Sequence, residues 1–334
     1  MKKVLLTLPD NIAGKLITKG FSAGFKSNGC FVLCKELKDL SVSDVEKFRP
    51  DIVFGYDYGF LYSGKMDLIE YLLADGANCN LVHYFGDIPD SKYAYGLKNE
   101  LYVEFSLLSK TKNNIFSFVW DKSFENKIPN MKYLPMAVNT KVYKAKEDLK
   151  KYDITFVGRP LTDKRQELLA ALIKRFGKRV NIFSYENHFL QSLDDMKEKQ
   201  FLTDEEFDIY KSSYRGVLYT EQELADVYFN SKVNINIPIQ GCSGINYRVF
   251  EVLASCGFLL TEFTEEIEKT FIVSKELETY TDFADLIDKT EFYLKNYDFA
   301  QKISIMGYAD VFKKHSYTSR ARTVLDNVYK KQYE

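Results

Sequence analysis

Short apolar runs alternate with stretches of helical period along the first half of the chain. "KVLLTL" (3–8), "CFVLC" (30–34), "DIVFG" (51–55), "NLVHYFGD" (80–87) and "NIFSFV" (114–119) read as strands. "DIVFG", a compact apolar run, matches what a strand covered on both faces requires. "SVSDVEKF" predicts a short helix, with Ser43 and Glu46 spaced as a capping box. "GKMDLIEYLLAD" (64–75) predicts another helix, stopped by Gly76. Strand and helix in turn imply a parallel sheet with helices on both faces.

"YLPMAVNTKVYKAKEDLKKYD" (133–153) breaks the rhythm with a proline and a charged stretch that has no apolar face. The alternation restarts with strand "ITFVG" (154–158), helix "DKRQELLAALIKRFG" (163–177) and strand "RVNIFSY" (179–185). After a long polar excursion (186–212), helical in part, come strand "RGVLY" (215–219), helix "EQELADVYFNS" (221–231) and strand "VNINIP" (233–238). Amphipathic helices are predicted near 281–295, 298–313 and 317–331. The expected organisation is a first Rossmann-like domain (1–135), a linker (136–150), a second such domain (151–316), and a C-terminal helix (317–334) packing back on the first domain. Two doubly wound parallel-sheet domains predict facing sheet ends across a cleft, with ligands at the carboxyl ends of the strands.

Composition narrows the function classes. At 334 residues, 46% hydrophobic and 28% charged, the chain has apolar surface for two cores. A net charge of -1 gives the whole chain no pull toward nucleic acid. The basic group Lys174, Arg175, Lys178 and Arg179 reads as a solvated helix end. The 24 tyrosines and 26 phenylalanines are spread rather than interleaved with arginines, as core residues are. Five scattered cysteines without zinc-site spacing predict reduced thiols and a cytoplasmic protein. The N-terminal apolar run is too short for a signal peptide, and none approaches the roughly 18 residues of a membrane span. Membrane contact is therefore expected to be peripheral at most, at the inner membrane face.

The candidate chemistry lies in "NINIPIQGCSGINYRVFEVLASCGFLLTEF" (234–263): strand, glycine-broken turn, helix, strand. The turn "QGCSG" (240–244) lets backbone approach a ligand, and the helix start after it offers N–H groups to a phosphate. Arg248 in the first turns adds a bidentate grip, and Glu251, three residues on, reaches a ribose diol. The same spacing equally allows an Arg248–Glu251 pair on one helix face. "FVGRP" (156–160) repeats the arrangement in miniature, placing Gly158 and Arg159 at a second strand end, although an ordinary strand-to-helix turn accounts for it too. In "HYFGDIPD", His83 and Asp87 are candidates for a general base at a strand end; a structural histidine is the commoner outcome. His188 and His315 are isolated, and the chain has no D-x-D triplet, G-x-S-x-G elbow, Walker P-loop or G-x-G-x-x-G after its first strand.

Together these segments resemble the GT-B glycosyltransferases, and within them the bacterial CgeB-like, group 1-like enzymes. "YLPMAVNTKVY" is similar to their interdomain connection and "ITFVGRPLTDKRQELLAAL" to the first strand, turn and helix of their donor domain. "INYRVFEVLASCGFLLTEF" (245–263) resembles their N-x-R-x-F-E block and is the most specific of the three. The likeness covers about 130–330, and the N-terminal domain by architecture only.

The resemblance implies a hexosyltransferase with a nucleotide-sugar donor, UDP- or GDP-linked, and no cofactor or metal. Arg248 holds the diphosphate and Glu251 the ribose; Gly158 and Arg159 approach from the neighbouring loop, and Tyr185 flanks the base. Gly244, Asn246 and Tyr247 complete the nucleotide site, and Asp87 is the base toward a glycan, lipid-linked sugar or protein acceptor in surface glycan synthesis. One departure is plain: many retaining members carry two glutamates eight positions apart in this block, whereas the position eight before Glu251 is Ser243 and the one eight after is Leu259. Retention or inversion is left open. A non-catalytic assembly protein and a sugar-nucleotide epimerase are the rival readings on the same fold.

Overall fold

A computed structural model of the chain describes residues 1–56, 66–74, 78–86, 112–126, 131–143, 150–238 and 244–330. These fall into two units, one of Met1–Asn139, Ser243–Ile245 and His315–Glu334, the other of Thr140–Cys242 and Asn246–Lys314.

The first unit contains β1 (Lys3–Leu8), α1 (Ile12–Ser27), β2 (Phe31–Glu36), α2 (Val42–Phe48), β3 (Ile52–Tyr56), α3 (Met66–Leu73), β4 (Asn80–Phe85), β5 (Ile115–Val119) and β6 (Met131–Tyr133). The strands form one sheet in the order β2-β1-β3-β4-β5-β6, each pair parallel. Val4, Leu5 and Leu6 of β1 and Ile52, Val53 and Phe54 of β3 have no exposed surface, which is why their sequences run apolar without alternation. Helix α2 begins two residues earlier than the sequence suggests. Its capping box is Ser41 with Asp44, not Ser43 with Glu46. The Asp44 side chain accepts from both Ser41 N and Oγ, and Lys35 pairs with it, holding the carboxyl down at about 2.

Helix α1 was not legible in the sequence. It is interrupted by Gly14, Gly20 and Gly24, which lower its intrinsic propensity. Packing explains two of them. The C-terminal helix, Tyr317–Lys330, lies so close that a Cβ on Gly20 would stand 2.2 Å from the Tyr317 ring, and one on Gly24 2.3 Å from the Tyr317 carbonyl oxygen. Arg320 fixes this helix further by donating to the carbonyls of Pro135 and Met136 and meeting His315 Nδ1. Residues 136–138, read from sequence as the start of a linker, are buried here: Met136, Ala137 and Val138 are core, and Val138 bridges Ser316.

The second unit contains β7 (Tyr152–Val157), α4 (Asp163–Phe176), β8 (Val180–Phe183), α5 (Glu186–Glu198), α6 (Asp204–Ser212), β9 (Tyr214–Gly216), α7 (Glu221–Phe229), β10 (Ser231–Asn236), α8 (Tyr247–Ala254), β11 (Leu259–Glu262), α9 (Glu265–Thr270), β12 (Glu278–Tyr280), α10 (Phe283–Lys295) and α11 (Tyr297–Lys314). Its sheet is again parallel, in the order β12-β11-β10-β7-β8-β9. Ile154, Phe156, Val233, Ile235 and Leu260 from its central strands meet Leu168, Leu172 and Ile303 from helices in one core. Buried asparagine amides donate within it: Asn234 Nδ2 to the carbonyls of Tyr228 and Phe258, and Asn236 Nδ2 to Thr261 Oγ1. Helices α4 and α7 start at Thr162 and Thr220, whose hydroxyls accept the N3 amides. Among the described residues no helix is long and apolar enough to cross a membrane.

The close contact of α1 with the C-terminal helix sets a sign. Alanine would favour α1 by about 1 kcal/mol of helix propensity, but at Gly24 the Cβ meets an immovable carbonyl oxygen. Overpacking of this kind costs about 1–3 kcal/mol. Gly24→Ala is expected to destabilise the chain by about 1–2 kcal/mol net. Urea denaturation checks this, and an unchanged or higher midpoint refutes the packing account.

Candidate active site

Parallel strands place all their carboxyl ends on one side, and in the second unit those of β7, β8 and β10 carry the polar side chains. Strand β7 is followed by Gly158, whose N–H donates to the Phe183 carbonyl at the end of β8. A Cβ on Gly158 would lie 3.5 Å from Arg248 Nη1. The guanidinium of Arg248, from the first turn of α8, therefore faces the turn after β7. The sequence placed these two residues at neighbouring strand ends, and the fold brings them together.

Arg248 Nε donates to Tyr228 Oη at 3.2 Å, and its guanidinium lies over the Tyr247 ring. Burial works against its charge, but Tyr228, Tyr247 and Glu251 outweigh it and hold the group above its ordinary value. Asn246 is the N-cap of α8, and its amide donates to Asn236 Oδ1 at 3.2 Å, tying the helix start to β10. Tyr247 is half-buried, with burial raising its phenol.

Glu251 is 6% exposed and does not ion-pair with Arg248. Its Oε1 accepts from Tyr143 Oη at 2.8 Å, and Tyr228 Oη stands 3.5 Å from its Oε2. Burial raises its carboxyl to about 7, against the lowering pull of Arg248 and the tyrosine hydroxyls. A helix-face pair between Arg248 and Glu251, open from spacing, is thus replaced by a relay through Tyr228.

Arg165, in the first turn of α4, is a member that the sequence reading missed. It is 5% exposed, yet its partners are carbonyls: Nε and Nη2 donate to Ile237 O at 2.9 and 2.8 Å, and Nη1 to Arg159 O at 2.9 Å. Burial first, then the charges of Arg248 and Arg159, bring it down to about 9. Arg165 holds the Arg159 carbonyl and Arg248 faces Gly158, so the three arginines converge on the turn after β7. Among the described residues none of the three has a carboxylate ion pair. Arg159 itself is exposed. No pattern in "DKRQELL" separates Arg165 from a surface arginine; only its carbonyl partner 72 positions away does.

Tyr185 lies at the end of β8 as the N-cap of α5, 38% exposed, with its ring edge-on to His188 at 5.4 Å. Burial and Arg159 lower the His188 ring below its usual value. Gly244 differs from expectation: its N–H is already taken by Asp121 Oδ2 at 3.0 Å, and a Cβ there would meet the Trp120 ring at 2.7 Å. This amide is not offered to a phosphate. The rest of the turn, 239–243, lies outside the described residues, and so does Asp87. His83 occupies the fourth of six positions in β4, inside the strand instead of at its carboxyl end. It is 1% exposed, its ring packs against Phe85, and burial lowers it to about 3, so it stays neutral at physiological pH. Strand alternation turned it into the core. Among the described residues no group of three or more His, Cys, Asp or Glu could hold a metal ion.

Residues 164–326 match the family described as glycosyl transferase-like. No curated protein matches the chain. Among solved structures, sucrose-phosphate synthase from Thermosynechococcus elongatus superimposes with a TM-score of 0.69 at 9% identity, over 100% of this chain and 99% of that one. A glycosyltransferase from Rickettsia africae gives 0.67 at 13% identity, over 98% of each chain. HepE of Anabaena, solved with UDP and glucose, gives 0.69 at 8% identity, over 99% of this chain and 100% of its own. At such identities the structures establish the fold alone. Residues 164–326 thus match a glycosyl transferase-like family, and the chain has the two-domain GT-B fold.

Proposed function

We propose that the chain transfers a hexose from a nucleoside-diphosphate sugar, UDP- or GDP-linked, to a hydroxyl of a glycan, lipid-linked sugar or protein, without a metal. One observation carries the reading: Arg159, Arg165 and Arg248 converge on the turn after β7, and among the described residues none of the three forms an ion pair with a carboxylate. Uncompensated positive charge at a strand end suits a diphosphate. As the bond from the anomeric carbon to the β-phosphate oxygen breaks, negative charge grows on the leaving diphosphate, where Arg248 and Arg159 stabilise it. Guanidiniums and the absence of a D-x-D triplet support the metal-free form. Glu251 accepts the ribose hydroxyls, Gly158 admits the diphosphate closely, and Tyr185 flanks the base; Asn246 and Tyr247 line the same site. Asp87 takes the proton from the acceptor hydroxyl.

Donor turnover tests this. Purified chain is offered UDP-, GDP- and CDP-sugars and released nucleotide is measured. At least one donor is expected to turn over. Arg248→Ala is expected to weaken binding of the matching nucleoside diphosphate roughly 30- to 100-fold, the worth of charged hydrogen bonds to phosphate. Binding by calorimetry that is equal in both proteins sinks the assignment of Arg248.

Glu251 generates a pH prediction. Its carboxyl rises from 4.5 to about 7 on folding, so its contribution to stability is whole below 4.5 and is lost as pH rises through about 7. Against Glu251→Gln, which stays neutral, the wild type is expected to lose on the order of 2–3 kcal/mol across that window. Urea denaturation of both proteins over the pH range reads this directly, and parallel stability curves contradict it.

A further inference from the structure

Tyr143 does something that packing does not explain. It lies four residues beyond the end of the first unit's main segment, Met1–Asn139, and is 1% exposed in the second unit. A phenylalanine there would fill nearly the same volume. The hydroxyl meets Glu251 Oε1 at 2.8 Å, joining residues 108 positions apart. The other hydroxyl on this carboxylate, from Tyr228, is at 3.5 Å, at the outer limit of a hydrogen bond. Tyr143 is therefore the group that fixes the carboxylate, and Tyr228 links it to Arg248 through the 3.2 Å bond from Nε. The titratable groups facing Glu251 are Arg248, Tyr143, Tyr228 and Tyr247, together with Glu221 at the start of α7.

We propose that Tyr143 is a positioning residue: its hydroxyl holds Oε1 of Glu251 so that the carboxylate keeps its remaining lone pairs in register for the ribose hydroxyls of a bound nucleoside diphosphate. The proposal rests on the reading of Glu251 as the ribose ligand. An unpaired carboxylate on a glutamate stem samples several rotamers, and a ligand that needs one of them loses affinity to that freedom. A buried phenol donating to it removes the choice and also favours the ionised form. The Arg248–Tyr228–Glu251–Tyr143 chain joins the phosphate-facing and ribose-facing groups into one hydrogen-bonded unit.

The test compares Tyr143→Phe with the wild type, using UDP as the probe. In the nucleotide-free protein, 13C NMR of the glutamate carboxyls reads the ionisation of Glu251. Removing the donor is expected to raise its midpoint by about one pH unit. Calorimetry is expected to show UDP bound about five- to tenfold more weakly, with donor KM raised and kcat held within about twofold. On a Glu251→Gln background the same change is expected to cost less than about twofold, because the two act as a pair. Should Tyr143→Phe fold poorly, 3-fluorotyrosine at 143 keeps the ring and makes a stronger donor, and the midpoint is expected to fall. An unmoved midpoint with UDP affinity equal to the wild type overturns the positioning role while leaving the nucleotide reading intact. A moved midpoint in a wild type that binds none of UDP, GDP, CDP or ADP overturns the ribose reading and the positioning role with it.

Discussion

A guanidinium buried against carbonyl oxygens holds together the ligand end of the second unit. Arg165 donates twice to Ile237 at the end of β10 and once to Arg159 after β7. Removing a cation from water without an anion is costly, and the cost is visible in its depression to about 9. It remains protonated at neutral pH nonetheless, because three hydrogen bonds to two carbonyls replace its hydration. Two strand ends are thereby fixed at a spacing set by one planar group. Gly158, Arg159 and, through α8, Arg248 inherit their places from that arrangement.

The second half of the site is organised the other way, by a buried anion. Glu251 loses its water, so its carboxyl rises to about 7 despite the phenols that donate to it, where Arg165 falls. The two charges are not neutralised against each other. They are kept apart by Tyr228, which accepts from Arg248 and reaches toward Glu251. A direct ion pair would consume both groups; the relay leaves a cation facing one way and a carboxylate another. That separation is what a ligand bearing both a diphosphate and a diol requires.

Much of the framework was legible in the chain. Runs such as "KVLLTL" and "ITFVG" are buried on both faces and can only be central parallel strands, and the helices expected over 163–177 and 221–231 are α4 and α7. Local signals failed where packing supplied the reason for a residue. Glycines in α1 lower its propensity and look like breaks, until the C-terminal helix is seen pressed against Gly20 and Gly24. His83 looked like a strand-end base, but its position inside β4 turns it into the core. Gly244 looked free to meet a phosphate, and its amide is bound to Asp121, 123 positions away.

By itself the sequence determined the class of fold, two parallel sheets with helices between strands, and it marked Gly158 and Arg159 at a strand end and Arg248 and Glu251 on the helix that follows another strand. Period and apolar runs are local properties, and a chain cannot conceal them. Only the tertiary structure decided the partners: Arg165 with Ile237, Tyr143 with Glu251, Tyr228 with Arg248. Hydrogen bonds between residues so far apart in the chain leave no trace in composition or spacing. They exist because burial makes an unpaired polar group too costly to keep, and the fold alone settles which group is near enough to answer it.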